Sequence, residues 1–167
     1  MNKDDLIIKK TKNGKGVFAG RNFRKGERIL EFHGEFFTDD ELPMPYDEVE
    51  DHYVQIDRNL YMGPSGGADD FFNHSCDPNA GLKIKGRDVF IVAIKNILKG
   101  NEVAWDYSTT MDETDWEMDC ACESRNCRHH IRDFKYLSKD VQQKCIRLGI
   151  VPEYISKNFR KKIGFPD

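Results

Sequence analysis

Apolar and polar positions alternate in short runs through the first two thirds of the chain, and most runs end at a glycine turn. Leu6-Ile7-Ile8 is β-prone, and a turn at Asn13-Gly14-Lys15-Gly16 leads from it into Val17-Phe18-Ala19. Lys25-Gly26 turns the chain into Arg28-Ile29-Leu30-Glu31-Phe32, whose alternation fits a half-buried strand. Residues 39–51 are acidic and hold Pro43 and Pro45, which predicts a loop with room for one helical turn. Tyr53-Val54-Gln55-Ile56 resumes a strand. The strongest strand signal is Asp88-Val89-Phe90-Ile91-Val92-Ala93-Ile94, after which Lys99-Gly100-Asn101 turns the chain into Glu102-Val103-Ala104-Trp105. Only the C-terminal part has helical spacing. Ser138 can cap it, Val141, Cys145 and Leu148 share one face, and Gly149 and Pro152 follow in the order that ends a helix. Cys145 is therefore expected to be a packed core thiol. The pattern predicts a β-rich α+β domain with a helical tail.

Composition narrows the class. The 167 residues suit one domain, and no apolar run approaches the roughly 20 residues of a membrane span. The acidic start Met1-Asn2-Lys3-Asp4-Asp5 lacks a secretory core, so the expected location is cytoplasmic or nuclear, although a secreted effector is also compatible. Thiols stay reduced in those compartments, and five cysteines then point to metal before disulfides. Residues 128–167 hold ten Lys/Arg against four Asp/Glu, a balance of +6. The remainder holds 16 against 25, a balance of −9. Its acids crowd Asp39 to Asp51 and Asp112 to Asp119, a surface suited to a basic partner such as a lysine-rich peptide. Nucleic acid is not expected as a direct ligand, nor is a membrane.

Cys120, Cys122 and Cys127 form a C-x-C-x4-C cluster, three thiols that one tetrahedral ion can gather. A closed zinc site needs four ligands, and Cys76, Cys145, His129 and His130 are the candidates for the fourth.

Two further segments carry chemistry. Phe71-Phe72-Asn73-His74-Ser75-Cys76-Asp77-Pro78-Asn79 resembles the N-H-S-C-x-P-N signature of SET-domain protein lysine methyltransferases. Ala93 to Tyr107 is similar to that family's A-x-R-x-I-x-x-G-E-E-L-x-x-D-Y motif, Gly14-Lys15-Gly16-Val17-Phe18-Ala19 to its G-x-G-V-F-A motif, and C-x-C-x4-C to its post-SET zinc segment. The likeness spans about residues 5–130, with the motifs in family order. It implies a SET domain over 5–110, a post-SET zinc-binding segment over 111–130 and a helical tail over 131–167. The implied fold is the SET β-fold, in which a pseudoknot brings residues 71–79 and 102–107 together.

The implied activity is transfer of a methyl group from S-adenosyl-L-methionine to the ε-amine of a lysine in a protein, a histone tail being one basic candidate. By resemblance, Cys76 joins Cys120, Cys122 and Cys127 on Zn2+. Tyr107 is the catalytic tyrosine and Tyr53 the second channel tyrosine. Trp105 stands where residue size limits the number of methyls added, favouring mono- or dimethylation. Asn73 and His74 are expected to hold the adenine and amino group of the cofactor, Gly14 and Gly16 to let the backbone approach it, and Lys15, Val17, Tyr53 and Tyr107 to line it. Phe134 and Tyr136 are candidates to pack on the adenine or cap the lysine channel. Three positions depart from the family pattern: Asp70 replaces an Arg, Asn101 the first Glu of G-E-E, and Glu123 a Gly. An inactive SET module that binds peptides, or a plain zinc-binding interaction domain, is the alternative.

Overall fold

The computed structural model describes residues 4–12, 14–42, 52–113 and 116–160. Residues 43–51, which hold Pro43, Pro45 and most of the acidic loop expected over 39–51, lie outside that set, as do residues 1–3, 13, 114–115 and 161–167. Strands β1 (Leu6–Thr11) and β2 (Gly14–Ala19) form an antiparallel hairpin, registered from Leu6 opposite Ala19 to Thr11 opposite Gly14. The central sheet has the order β3-β8-β7, built from β3 (Arg28–Glu31), β7 (Ala80–Lys85) and β8 (Asp88–Ala93). Beside it stands a second three-stranded sheet of β4 (Glu35–Phe37), β5 (Val54–Asp57) and β6 (Leu60–Gly63), in the order β4-β6-β5. A last hairpin pairs β9 (Glu117–Asp119) with β10 (His130–Arg132), so a strand opens the segment read as a helical tail. Val17, Phe23, Leu82, Val89, Ile91 and Val103 are fully buried between the sheets.

Residues 102–105, expected as a strand, make only single bridges. Glu102 pairs with Phe18, and Trp105 pairs with His74 on the opposite side. A ladder cannot form because the segment divides its hydrogen bonds between two neighbours. Val103 N–H donates to Val17, whereas Ala104 O accepts from Ala80 N–H.

Helix α1 (Lys139–Leu148) ends at Gly149, whose φ of 65° is the left-handed cap the sequence predicts. Ser138 occupies the N-cap position without a side-chain capping bond. The sequence reading missed α2 (Glu153–Arg160). Pro152 looked like a terminator, but it also starts this helix, its carbonyl accepting the N–H groups of Ile155 and Ser156. The two helices bury Ile146, Ile150 and Ile155 against Val92, Ile94 and Phe134. Ile150 seats directly on Gly81 of β7, where any Cβ would come within 2.6 Å of its Cγ2. Cys145 lies in this core as expected, its thiol pushed up to about 12 by burial. No helix among the described residues is long and apolar enough to cross a membrane.

Candidate functional site

The stretch after the 3-10 turn at Ala68–Phe71 and the stretch before the one at Tyr107–Thr109 run side by side. Trp105 N–H donates to Asn73 O at 3.2 Å, and Ser75 N–H donates to Trp105 O at 2.9 Å. Asn79 completes the clamp: its Nδ2 donates to Glu102 O at 2.7 Å and its Oδ1 accepts from Ala104 N–H at 3.0 Å. Asn73 Nδ2 reaches both Lys15 O (3.0 Å) and Glu102 Oε1 (2.7 Å), tying the β1–β2 hairpin to the same point. Gly16 is glycine for lack of space, because a Cβ there would stand 2.4 Å from Glu102 Oε1 and 2.8 Å from Asn73 Nδ2.

Two recesses flank this junction. The larger, about 470 Å³, is lined by Phe32, Tyr53, Phe72, Trp105, Tyr107 and Met111, with Asp69, Asp70 and Glu117 also in its wall. Tyr107 donates its hydroxyl to Phe72 O at 2.8 Å and packs at 4.8 Å against the ring of Trp105, itself buried. Tyr53 is held edge-on to Phe37 at 5.4 Å. The smaller recess, about 230 Å³, is lined by Asn73, His74, Glu102, Lys12, Cys122 and Glu123 among others. The expected site residues are thus divided, with Tyr53, Trp105 and Tyr107 in the larger recess and Asn73 and His74 in the smaller. Val17 stands apart from these residues. It is fully buried in the main core and lines neither recess. Gly14, Lys15 and Gly16 also stay out of both linings, and Lys15 touches the smaller one through its carbonyl on Asn73. Phe134 and Tyr136 are absent from both; Phe134 belongs to the helical core and Tyr136 is half exposed.

His74 joins the recesses to the cysteines. Burial holds its pKa down to about 4, so the ring is neutral near pH 7. Its Nδ1 accepts from Tyr107 N–H at 3.1 Å, which leaves the ring proton on Nε2, 3.3 Å from Cys76 Sγ. The Sγ atoms of Cys76, Cys120, Cys122 and Cys127 all lie within 4.8 Å of one another. The Cys76–Cys120 and Cys120–Cys127 pairs are 3.9 Å and 3.8 Å apart. Zinc–thiolate bonds of about 2.3 Å at tetrahedral corners separate sulfurs by about 3.8 Å, so the cluster fits a closed structural zinc site. Burial works against ionisation of Cys122, but hydrogen bonds from Ser124 and the Cys76 amide hold its thiol down at about 6. Neither His129 nor His130 is part of the cluster.

Sequence reasoning missed Arg128 and gave Asp106 no role. Arg128 Nη1 and Nη2 donate to Asp106 Oδ2 and Oδ1 at 2.8 and 2.7 Å. This pair spans 22 residues and has no spacing signature. The departures also find places. Asp70 accepts from the amides of Ser65 (2.9 Å) and Gly66 (2.7 Å), shaping the loop before the site. Asn101 is exposed, and Glu123 adopts φ 55°, where a glycine is easiest, and pairs with Lys12 at 2.6 Å.

The family model for the SET domain matches residues 14–108, more than half of the chain. The chain belongs to the SET domain family. The chain is 32% identical over 143 residues to the variant-silencing SET domain-containing protein of Plasmodium falciparum (isolate 3D7), covering 75% of the chain and 6% of that protein. It is 28% identical over 130 residues to histone-lysine N-methyltransferase trithorax of Drosophila virilis, covering 71% of the chain and 3% of that protein. The chain therefore spans a small fraction of the length of these relatives. Among solved structures, Arabidopsis thaliana SUVH6 in complex with SAM superposes with a TM-score of 0.64 at 24% identity, over 76% of this chain and 32% of that one. KRYPTONITE in complex with mCHH DNA, an H3(1–15) peptide and SAH gives 0.62 at 21% identity, over 76% and 29%. Both agree on the fold.

Proposed function

We propose that this SET domain is a protein lysine N-methyltransferase that uses S-adenosyl-L-methionine. The observation that carries the reading is the junction itself: Tyr107 stands in a largely apolar cavity while the adjoining Asn73 and His74 line a separate polar recess. The relatives named as histone-lysine N-methyltransferases and the SAM- and SAH-bound neighbours support it. When bound, the cofactor supplies a methyl group on a sulfonium. Asn73 and Glu102 offer polar contacts that would hold it, with His74 in the wall of the same recess and the Gly14–Gly16 backbone alongside.

A free lysine amine has a pKa of about 10.4, so only about one in a thousand is neutral at physiological pH. Burial in the larger cavity disfavours the ammonium and frees the lone pair without a strong base. Tyr107 donates its hydroxyl proton to Phe72 O, which fixes the direction of that hydroxyl in the cavity wall where the amine would enter. Tyr53, Phe32 and Phe72 exclude water from the amine's path. Much of the rate enhancement then comes from alignment. Asp69, Asp70 and Glu117 in the wall favour a basic protein segment such as a histone tail, and the −9 balance of residues 1–127 disfavours nucleic acid.

Calorimetry with S-adenosylhomocysteine and radiolabelled transfer to histones and lysate proteins test the reading. Tyr107→Phe should lower transfer by about 100- to 1,000-fold while cofactor affinity changes only slightly. Saturable binding without any transfer would identify an inactive binding module instead, and no binding would leave a zinc-stapled scaffold. Trp105 packs against the Tyr107 ring in the wall of the same cavity, so the products should be mono- and dimethyl-lysine, and Trp105→Phe should shift them toward higher methylation by mass spectrometry. A product dominated by trimethyl-lysine in the unaltered protein would refute that assignment.

A further inference from the structure

Arg128 follows the last cysteine of the cluster and touches both the cluster and the turn that carries Tyr107. Its backbone N–H points at Cys76 Sγ at 3.3 Å. Its guanidinium grips Asp106 with two prongs, and Nη2 also reaches Ser108 Oγ at 3.2 Å. Asp106 is 2% exposed and directly precedes Tyr107. Its carboxylate accepts from Ser108 N–H at 3.2 Å and its carbonyl from Thr109 N–H at 2.9 Å, which shapes the 3-10 turn Tyr107–Thr109. From the other side, His74 spans Cys76 Sγ and the Tyr107 amide. The sulfur of Cys76 therefore reaches both flanks of one peptide unit. A planar guanidinium bound to a carboxylate through two bonds fixes direction as well as distance, which a single contact cannot do.

We propose that Arg128 is a positioning residue that transmits closure of the four-cysteine cluster to Tyr107, so that the tyrosine hydroxyl is held over the larger cavity only when residues 120–127 are gathered on their metal. The kinetic part of this inference rests on the methyl-transfer reading; the conformational part does not.

The test compares the zinc-loaded protein with Arg128→Gln, Arg128→Lys, Asp106→Asn and the Arg128→Gln/Asp106→Asn double variant. Zinc stoichiometry, S-adenosylhomocysteine affinity, kcat, KM and the 15N–1H resonance of the Tyr107 amide are measured on each. Arg128→Gln should keep its zinc and bind S-adenosylhomocysteine within about threefold, while kcat falls about 100-fold at near-constant KM and the Tyr107 amide shifts. Arg128→Lys should restore only part of kcat, because an ammonium cannot make both bonds. The double variant should lose less than the two single effects multiplied, since it no longer buries an unpaired carboxylate. Zinc loss in both Arg128→Gln and Arg128→Lys would reduce Arg128 to a structural part of the staple and overturn the proposal. An unchanged kcat, or an unmoved Tyr107 amide, would overturn it too. If the unaltered protein transfers no methyl to any substrate, the function reading fails, and the amide shift alone decides the role of Arg128.

Discussion

Asp133 shows how one side chain can set a pH dependence. It is fully buried, and no hydrogen bond reaches either of its carboxylate oxygens. Lys135 Nζ lies 3.0 Å from Oδ2, a charge contact without good hydrogen-bond direction. Burial, only partly offset by Lys135, raises the Asp133 pKa above its ordinary value. In the unfolded chain the carboxyl titrates near its usual value of about 3.9. Between that value and the raised folded one, the folded protein holds a proton that the unfolded chain has released. Stability therefore falls as pH rises through this window and levels off above it. Asp133→Asn should raise the Tm near pH 7, and the gap to the unaltered protein should close below about pH 4 in thermal melts. Tyr107, Asn73 and the cysteines were legible in the sequence because the motifs that hold them are contiguous. Arg128 and Asp133 were not, because burial and pairing across the fold leave no mark on neighbouring residues.

At the scale of elements, strands with alternating faces were readable, and so was α1 with its cap signals at both ends. The 102–105 segment has the composition of a strand, but its hydrogen bonds go to two different neighbours, which no local pattern records. The helix after Pro152 was hidden because one proline serves as stop and start. The attachment of both helices depends on the fit of Ile150 against Gly81. Ile150→Ala should cost about 2–5 kcal/mol in urea unfolding, as buried large-to-small changes do. Cofactor binding in the surviving folded fraction should be unchanged, because Ile150 lines neither recess at the junction.

For the whole molecule, the cysteine cluster does what local structure cannot, joining residue 76 to residues 120–127. The C-x-C-x4-C spacing showed that metal was wanted, but only the family likeness pointed to Cys76 before the fold did. Stripping zinc with a strong chelator should abolish hydrogen-exchange protection in β9 and β10 and leave the β3-β8-β7 sheet protected. Loss of protection throughout would show that the metal holds the entire fold rather than its C-terminal flap.

The Tyr154 hydroxyl on α2 lies within hydrogen-bonding reach of the carbonyl of Gln55, 99 residues earlier, and of that of Thr110. The ribosome thus releases Gln55 and Thr110 before the tyrosine that bridges them, and releases Cys76 well before its three partner thiols. At about 5–20 residues per second, several seconds separate these events. A nascent chain halted before Cys127 would carry the recess side chains without the clasp that orders them, so competence waits until the last cysteine of the cluster has emerged.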